Sequence, residues 1–575
     1  MRLPTLIVTV LLFVPSAFAA TLHVPGDYST IQGAIFASQN GDTIEVVPEI
    51  YYENLNFMGK AIVVKSQMGP ELTIIDGRKK GAVVTFNIDE GADTVLDGFT
   101  LLNGIGSWHE SLPGEWGYCG GGIYCKNASP TIINNIITNN WVEWGGGAVC
   151  IAGNASPLVK QNAIHNNRSG EYGGAIFSGT GSSPVIEANE IRLNQSDVQG
   201  GGIICFGCSP TIINNTLERN TADLGGGIYT SNCTNLTLSG NTIIGNLSHQ
   251  FGGGIQCYNS TGTISLNSIS ENTQGGIGCE QSALTITTNT IFGNLVKGGI
   301  VCSFNSYVTI KDNILNQNMA EGDFSGGIWC GKNTTINHNI FYANVSEKNG
   351  GAIHSYGSSL ITNNILKYNV AGEKGGGICL HGQLNAHEDI SDNTFIENSA
   401  ATGGGLWCDR SPYVIGNVFR KNAANEGGGV FAGEGSTPVL SGNTLEDNTA
   451  TQSGGGVRCV SSSPVLSENR ITGNTASSGA GISCNKSTST ISNNLIKDNL
   501  ANVTGGGLSL TEDYSPVLSN NRIIDNKAQG FGGGLFFKDS YYGSVTNNTV
   551  LNNAALQKGG AMTSSFSLVT VTNTI

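Results

Sequence analysis

A motif of two asparagines five residues apart, Asn-x-Φ-x-x-Asn with Φ apolar, returns seventeen times between Asn135 and Asn553. Asn215-Thr-Leu217-Glu-Arg-Asn220, Asn393-Thr-Phe395-Ile-Glu-Asn398 and Asn521-Arg-Ile523-Ile-Asp-Asn526 are examples. Eighteen Gly clusters run in phase with it from Gly120 to Gly560, at an average step of about 26 residues, which is the span of a repeat unit. A third element is Ser-Pro or Thr-Pro before an apolar alternation, as in Ser183-Pro184-Val185-Ile186, and it takes eight of the fourteen prolines.

Such a period, holding three short alternating segments and no 3.6-residue periodicity, fits three strands per turn of a solenoid. Gly supplies positive-φ corners, and Pro opens a strand where no ladder donor is lost. Asn tolerates the left-handed conformation at corners. Coils then stack at about 4.8 Å, and like residues form ladders. Stacked Asn side chains hydrogen-bond up and down such a ladder, so these asparagines are expected to be structural.

The N-terminus is expected to be a leader. Met1-Arg2 is basic, Leu6–Val14 is apolar, and Ala17-Phe18-Ala19 is an A-x-A cleavage signal, which together make a secretory signal peptide over residues 1–19. Residues 20–118 are read as a cap and opening coils, and 119–575 as regular repeats. Pro25–Ser38 reads as a short amphipathic helix with Ile31, Ala34 and Ile35 on one face, covering the open end of the solenoid. Strand-like runs follow at 43–47, 61–65, 73–75, 82–86 and 94–102. Thr572-Asn-Thr-Ile575 begins one more Asn motif, so truncation at the C-terminus is expected.

Charged residues are only 12% and Gly is 82 of 575, a balance that would suggest disorder were Ile, Val and Leu not so regular. The net charge of −14 disfavours nucleic acid as a partner. No later stretch is long and apolar enough to span a membrane as a helix.

Tyr28-Ser-Thr-Ile-Gln-Gly-Ala-Ile35, Asn40-Gly-Asp-Thr-Ile44, Tyr52-Glu-Asn54 and Thr73-Ile-Ile-Asp-Gly77 resemble the first coils of the pectin-lyase-like β-helix superfamily. Gly173-Gly-Ala-Ile176 and Gly350-Gly-Ala-Ile353, with Phe395-Ile-Glu-Asn398 and Phe419-Arg-Lys-Asn422, are similar to the repeats of polymorphic outer-membrane protein adhesins. The resemblance implies an all-β fold, a right-handed single-stranded parallel β-helix with three strands per coil and an N-terminal helical cap. It implies less about activity, because one fold hosts many. The Asp-Asp pair and Gly-His-Gly of the polygalacturonases, the Gly-x-x-Asp-Phe-Ile-Phe-Gly strand of the pectin methylesterases and the Trp-x-Asp-His of a pectate lyase family do not occur.

Three features are candidates for function. The strand after each Gly cluster reads Φ-x-Cys, with Cys125, Cys150, Cys205, Cys257, Cys279, Cys302, Cys330, Cys408, Cys459 and Cys484 in one slot. If Φ points inward they form a buried ladder of thiols. Disulfides between coils are the rival, although parallel Cβ vectors suit them poorly. The residue between Φ and Cys then points outward, and Tyr124, Phe177, Tyr229, Trp329, His354, Trp407, Phe431 and Phe536 make a stripe with two readings: it stacks on sugars or a protein partner, or its rings simply suit strands and are covered by neighbouring loops.

A loop-like insertion over 104–118 holds Trp108, His109, Glu110, Glu115, Trp116 and Tyr118, and Trp141 and Trp144 follow one coil later. With Trp329 and Trp407 these aromatics are the expected glycan contacts. A second insertion carries His381, His387, Glu388, Asp389 and Asp392, of which Glu388, Asp389 and Asp392 are the candidate cation ligands. The expected function is therefore a secreted or cell-surface, non-catalytic, adhesin-like protein that binds glycans and needs no cofactor. The alternative is an extracellular, Ca²⁺-dependent polysaccharide lyase acting on uronate polymers.

Overall fold

The computed structural model describes residues 19–112, 115–303, 305–382 and 388–575, without the side chains of 109–112 and 115. Save for Ala19, the expected leader lies outside the described residues, as does His387. The chain winds into a parallel β-solenoid of about 21 turns. Among the described residues three long sheets carry 22, 20 and 20 strands.

One coil shows how the repeat builds this. Thr211–Ile213 lies in the first sheet, Thr216–Glu218 in the second, Thr221–Leu224 in a short fourth strand, and Ile228–Ser231 in the third sheet. Ile212, Leu217, Ile228 and Thr230 point inward with no exposed surface. Each pairs in register with its equivalent one coil away, as Leu217 does with Ile191 and Ile243. The core is thus a stack of one-residue-thick layers. Gly225 has φ +64, and a Cβ on Gly226 or Gly227 would come within 2.5 Å of a carbonyl oxygen of the next coil. The Gly cluster is therefore required by a close backbone approach as well as by a turn.

The asparagines form two unbroken ladders, Asn135 to Asn548 and Asn140 to Asn553. In each rung one amide donates both to a carbonyl of the preceding coil and to the Oδ1 of the next asparagine, as Asn220 does to Ile191 O at 2.9 Å and to Asn246 Oδ1 at 3.0 Å. The left-handed residue is not the ladder asparagine but the one before it. Asn214 (φ 57°) and Arg219 (φ 52°) hold that place here, and Leu193 and Tyr368 hold it elsewhere. The ladder overrides local preference, because bulky residues are tolerated at an angle they disfavour by about 1–2 kcal/mol.

The cap helix spans Ile31–Ala37, shorter than expected because Pro25–Tyr28 is taken up by a turn. Thr30 caps it, accepting from Gly33 N, and Glu53 accepts from Ile31 N and Gln32 N, both at 2.9 Å. Ile31, Ala34 and Ile35 are fully buried, as expected.

All fourteen cysteines are buried. Cys257, Cys279, Cys302 and Cys330 stack in register. Burial pushes the Cys330 thiol up to about 11, which leaves it unreactive. One expectation fails. Cys150 pairs with Tyr124 and Phe177 in the outward slot, and Ile151 takes the inward one. Ala148 stands two residues before Cys150, but it is Val149, paired with Ile123, that takes the inward Φ position.

The third corner is a ladder of small residues. Ser436 and Ser462 stand there before Thr-Pro and Ser-Pro, and Ser487, Asp513 and Ser540 continue it in coils without that motif, all buried. Asp513 Oδ1 accepts from Ser487 N at 2.9 Å, and its Oδ2 has no partner. Burial pushes this carboxyl from its ordinary 3.8 up to about 7. The folded chain holds that proton where the unfolded chain has lost it, so stability falls as pH rises from about 4 to 7. Asp513→Asn keeps the acceptor and removes the charge. We expect it to raise stability by about 2–4 kcal/mol at pH 8 and by nearly nothing at pH 4. Calorimetric melting at both pH values checks this, and equal shifts at the two would contradict it.

Candidate functional site

The insertion at 104–118 is a β-hairpin rather than a loop. Ser107–Leu112 pairs antiparallel with Glu115–Cys119, with Trp108 opposite Tyr118 and Glu110 opposite Trp116. Opposed residues, and those two apart, share a face. Trp108, Trp116 and Tyr118 therefore stand on one side of the hairpin, 55%, 56% and 40% exposed. The Trp108 and Tyr118 rings meet edge-to-face at 5.2 Å.

The other side of the hairpin rests on Trp144. A Cβ on Gly117 would fall 2.6 Å from Trp144 Cβ, so only glycine lets the hairpin lie this close. Trp144 is 7% exposed and packs on Tyr172 and Phe177 at 5.1 and 4.9 Å. Trp144 thus supports the hairpin and is not itself presented, whereas Trp141, half exposed, is.

The expected outer stripe exists as a register ladder but is mostly covered. Tyr124, Phe177, Tyr229, His354 and Trp407 are all buried, and Trp329, Phe431 and Phe536 are half-buried. Tyr124, Phe177, Ile204 and Tyr229 form a second apolar cluster outside the coil, with Tyr172 and Leu224, from just before the Gly clusters, packed against it. Period-2 alternation gives the direction of a side chain but not what the fourth strand lays over it. Cys379 also stands in this slot, between His354 and Trp407.

Further along the same face the slot turns polar. His381 Nδ1 lies 3.0 Å from Asp409 Oδ2, and its ring stacks on Trp407 at 5.9 Å. Lys374 Nζ sits 4.2 Å from the centre of the Trp407 ring. Tyr356 donates its hydroxyl to Asp323, and Asn349 donates to the same carboxylate at 2.6 Å. Burial alone would raise Asp323, but those two donors, together with the nearby His354 and His381, hold the carboxyl low. Asp409 is raised, chiefly by burial. Burial drives His354 down and Tyr356 up. The rings of Trp329, Tyr356 and His381 run on from one another at 5.5 and 5.6 Å. Sequence reasoning did not single out Asp323, Tyr356, Lys374 or Asp409. They lie on four different coils, and only the register brings them together.

The three candidate cation ligands do not converge. Glu388 is fully buried and bound to Arg410, which also donates to Ser355 O at 3.0 Å. Asp389 is exposed, and Asp392 occupies a left-handed corner. Among the described residues, no group of three or more His, Cys, Asp or Glu side chains is arranged to hold a metal ion. Glu388, Asp389 and Asp392 therefore do not fit a Ca²⁺ site. No helix among the described residues is long and apolar enough to cross a membrane.

No curated protein matches the chain. Among solved structures, a variant of the PL6-family alginate lyase AlyGC is 11% identical, covers 96% of this chain and 100% of its own, and superposes with a TM-score of 0.36. The receptor-binding domain of the siphovirus 9NA tailspike is 11% identical over 79% of this chain and 74% of its own, with a TM-score of 0.25. The A-module of an Azotobacter vinelandii mannuronan C-5 epimerase is 11% identical over 94% and 93%, with a TM-score of 0.18. The family model for a right handed beta helix region matches in overlapping windows, 115–243, 172–315, 227–400, 276–449, 351–502 and 405–575. With the parallel sheets and stacked Asn corners described above, those windows make the chain a member of the right handed beta helix region family.

Proposed function

We propose that this protein is an exported rod, secreted or held at a cell surface, that binds glycans without cleaving them. The hairpin over residues 107–119 is its principal contact. One observation carries this reading: three large rings stand exposed on a single face of a hairpin that is itself pinned to buried Trp144. Aromatic faces offer apolar area to the C–H faces of sugar rings, and a rigid base lowers the ordering cost of binding. Export rests on the basic, apolar and A-x-A order of residues 1–19.

The test is a polysaccharide array probed with the chain and with a Trp108→Ala, Trp116→Ala, Tyr118→Ala triple variant. We expect at least a tenfold loss of affinity, about 1.4 kcal/mol, with melting unchanged. A variant that binds as tightly as the parent would remove the hairpin from the reading.

A second reading, acid–base cleavage of an acidic polysaccharide, is favoured by the His381–Asp409 contact. A carboxylate on Nδ1 orients an imidazole so that Nε2 can take a proton. Ultraviolet absorbance from unsaturated uronate products, absent in His381→Gln, would support it. No change in absorbance on any uronate polymer leaves the binding reading alone.

A further inference from the structure

The Asn ladder is stepped unevenly. Successive rungs are 26 residues apart at Asn241–Asn267 and Asn313–Asn339, but 22 at Asn267–Asn289 and 24 at Asn289–Asn313. The residues lost are those between the second Asn corner and the Gly pair. Thr221–Leu224 and Leu247–Phe251 form covering strands there, but Thr273 and Leu295 make only an isolated bridge. In the same two coils the outward slot holds Gly278 and Val301 instead of a large ring. Missing cover and missing side chains coincide. A cavity of about 310 Å³ opens, with Gly278 and Val301 as floor and Phe251, Phe324 and Trp329 as walls.

Beside the Ser303 hydroxyl, its lining carries two acceptors, the Gln256 amide oxygen and the Glu280 carboxylate. Gln256, 5% exposed, leaves its Oε1 without a partner above Gly278, where a Cβ would come within 1.9 Å of it. A buried acceptor left unpaired is unfavourable, and a donor brought to it relieves that cost. The exposed Glu280 adds a carboxylate to the lining. The rings are already engaged by a cation. Lys297 Nζ lies 3.0 Å from the centre of the Phe251 ring and 5.1 Å from that of Phe324, and it donates to Gln250 O at 2.6 Å. Aromatic faces hold ammonium groups through the ring quadrupole, more strongly as water is excluded.

We propose that this opening is a binding site for a primary ammonium group, borne by a free amine or by an amino sugar. The group sits among Phe251, Phe324 and Trp329 with its N–H donors on Gln256 Oε1 and Glu280. Lys297 is the tethered ammonium that the ligand displaces. The site lies coils away from the hairpin and does not depend on it.

The experiment titrates the full chain by calorimetry with butylamine, a glucosamine tetramer and an N-acetylglucosamine tetramer. Binding of the tetramer with free amines and not of the acetylated one is expected. Butylamine alone reaching similar affinity would identify a free amine as the ligand, and a much tighter tetramer would identify an amino sugar. Lys297→Ala removes both the internal competitor and a like charge, so it should tighten binding about tenfold. Trp329→Ala should weaken it by a similar factor, about 1.4 kcal/mol either way. The hairpin triple variant should leave both effects intact. Weaker binding in Lys297→Ala would make Lys297 an anion receptor and overturn the proposal. So would equal affinity for the acetylated tetramer, or no amine binding in either the parent or Lys297→Ala.

Discussion

Asn344→Leu is expected to cost about 3–6 kcal/mol, although it replaces one side chain by another of similar volume. Asn344 accepts from Asn318 N at 3.1 Å and Asn318 Nδ2 at 3.0 Å, and it donates to Leu315 O at 2.9 Å and Asn369 Oδ1 at 3.0 Å. The side chain has no exposed surface, so water cannot replace those bonds. Leucine orphans the two buried Asn318 donors, at about 1–3 kcal/mol each before relaxation, and strips one donor each from Leu315 O and Asn369 Oδ1, which keep their backbone partners. Each coil touches only its neighbours, so the loss should appear locally. Hydrogen exchange should rise in the coils between Asn318 and Asn369, and proteases should cut there first, while the cap coils keep their protection. Asn344→Asp retains both acceptor bonds but sets a buried carboxyl against Leu315 O and Asn369 Oδ1, so its cost should be smallest at low pH, where the carboxyl is protonated, and grow as pH rises. A leucine variant within 1 kcal/mol of the parent would mean that the ladder is decorative.

The ladder was the most legible part of the molecule, because each rung needs the same residue at the same place. The Gly clusters were legible for a similar reason, since a carbonyl of the next coil occupies the space of any Cβ. The outer face was not. Nothing in the alternation of Ile123, Tyr124 and Cys125 tells that a further segment covers Tyr124. At Cys150 the period-2 pattern fits equally well one residue out of step. The cavity by Gly278 had a signal in the two short steps of the repeat. Its meaning depends on which segment was shortened, and that appears only once the fourth strand is seen. The exposed hairpin lies between these cases. The aromatic residues were evident, but their common face follows from Trp108 pairing with Tyr118, which a reading as a loop could not supply.

The slot before Ser411-Pro412 also carried a signal, and it leads to the second large effect. Ala128, Ala155, Ser182, Cys208, Ser436 and Ser462 stand before Ser-Pro or Thr-Pro in their coils, and all are small. Arg410 stands in that place with no exposed surface, where it meets Glu388 and donates to Ser355 O at 3.0 Å. Arg410→Met is expected to destabilise the chain by about 3–5 kcal/mol at pH 8, because it leaves a buried carboxylate without its counter-ion. The pH dependence follows from Glu388, which burial pushes from its ordinary 4.5 up to about 7 against the pull of Arg410. With a folded pKa above the unfolded one, the group's contribution is fully present below pH 4.5 and is lost as pH rises through about 7. Without Arg410 the carboxyl rises further, so the penalty should grow with pH and shrink markedly by pH 4. Replacing both partners, Arg410→Met with Glu388→Leu, removes both charges together and should recover most of the loss, since apolar residues substitute well for a buried ion pair. A double-mutant cycle run at pH 4 and pH 8 separates the coupling from the cost of each single change. If the double variant is no more stable than Arg410→Met alone at pH 8, the pair holds the coil in place through its geometry rather than through neutralised charge.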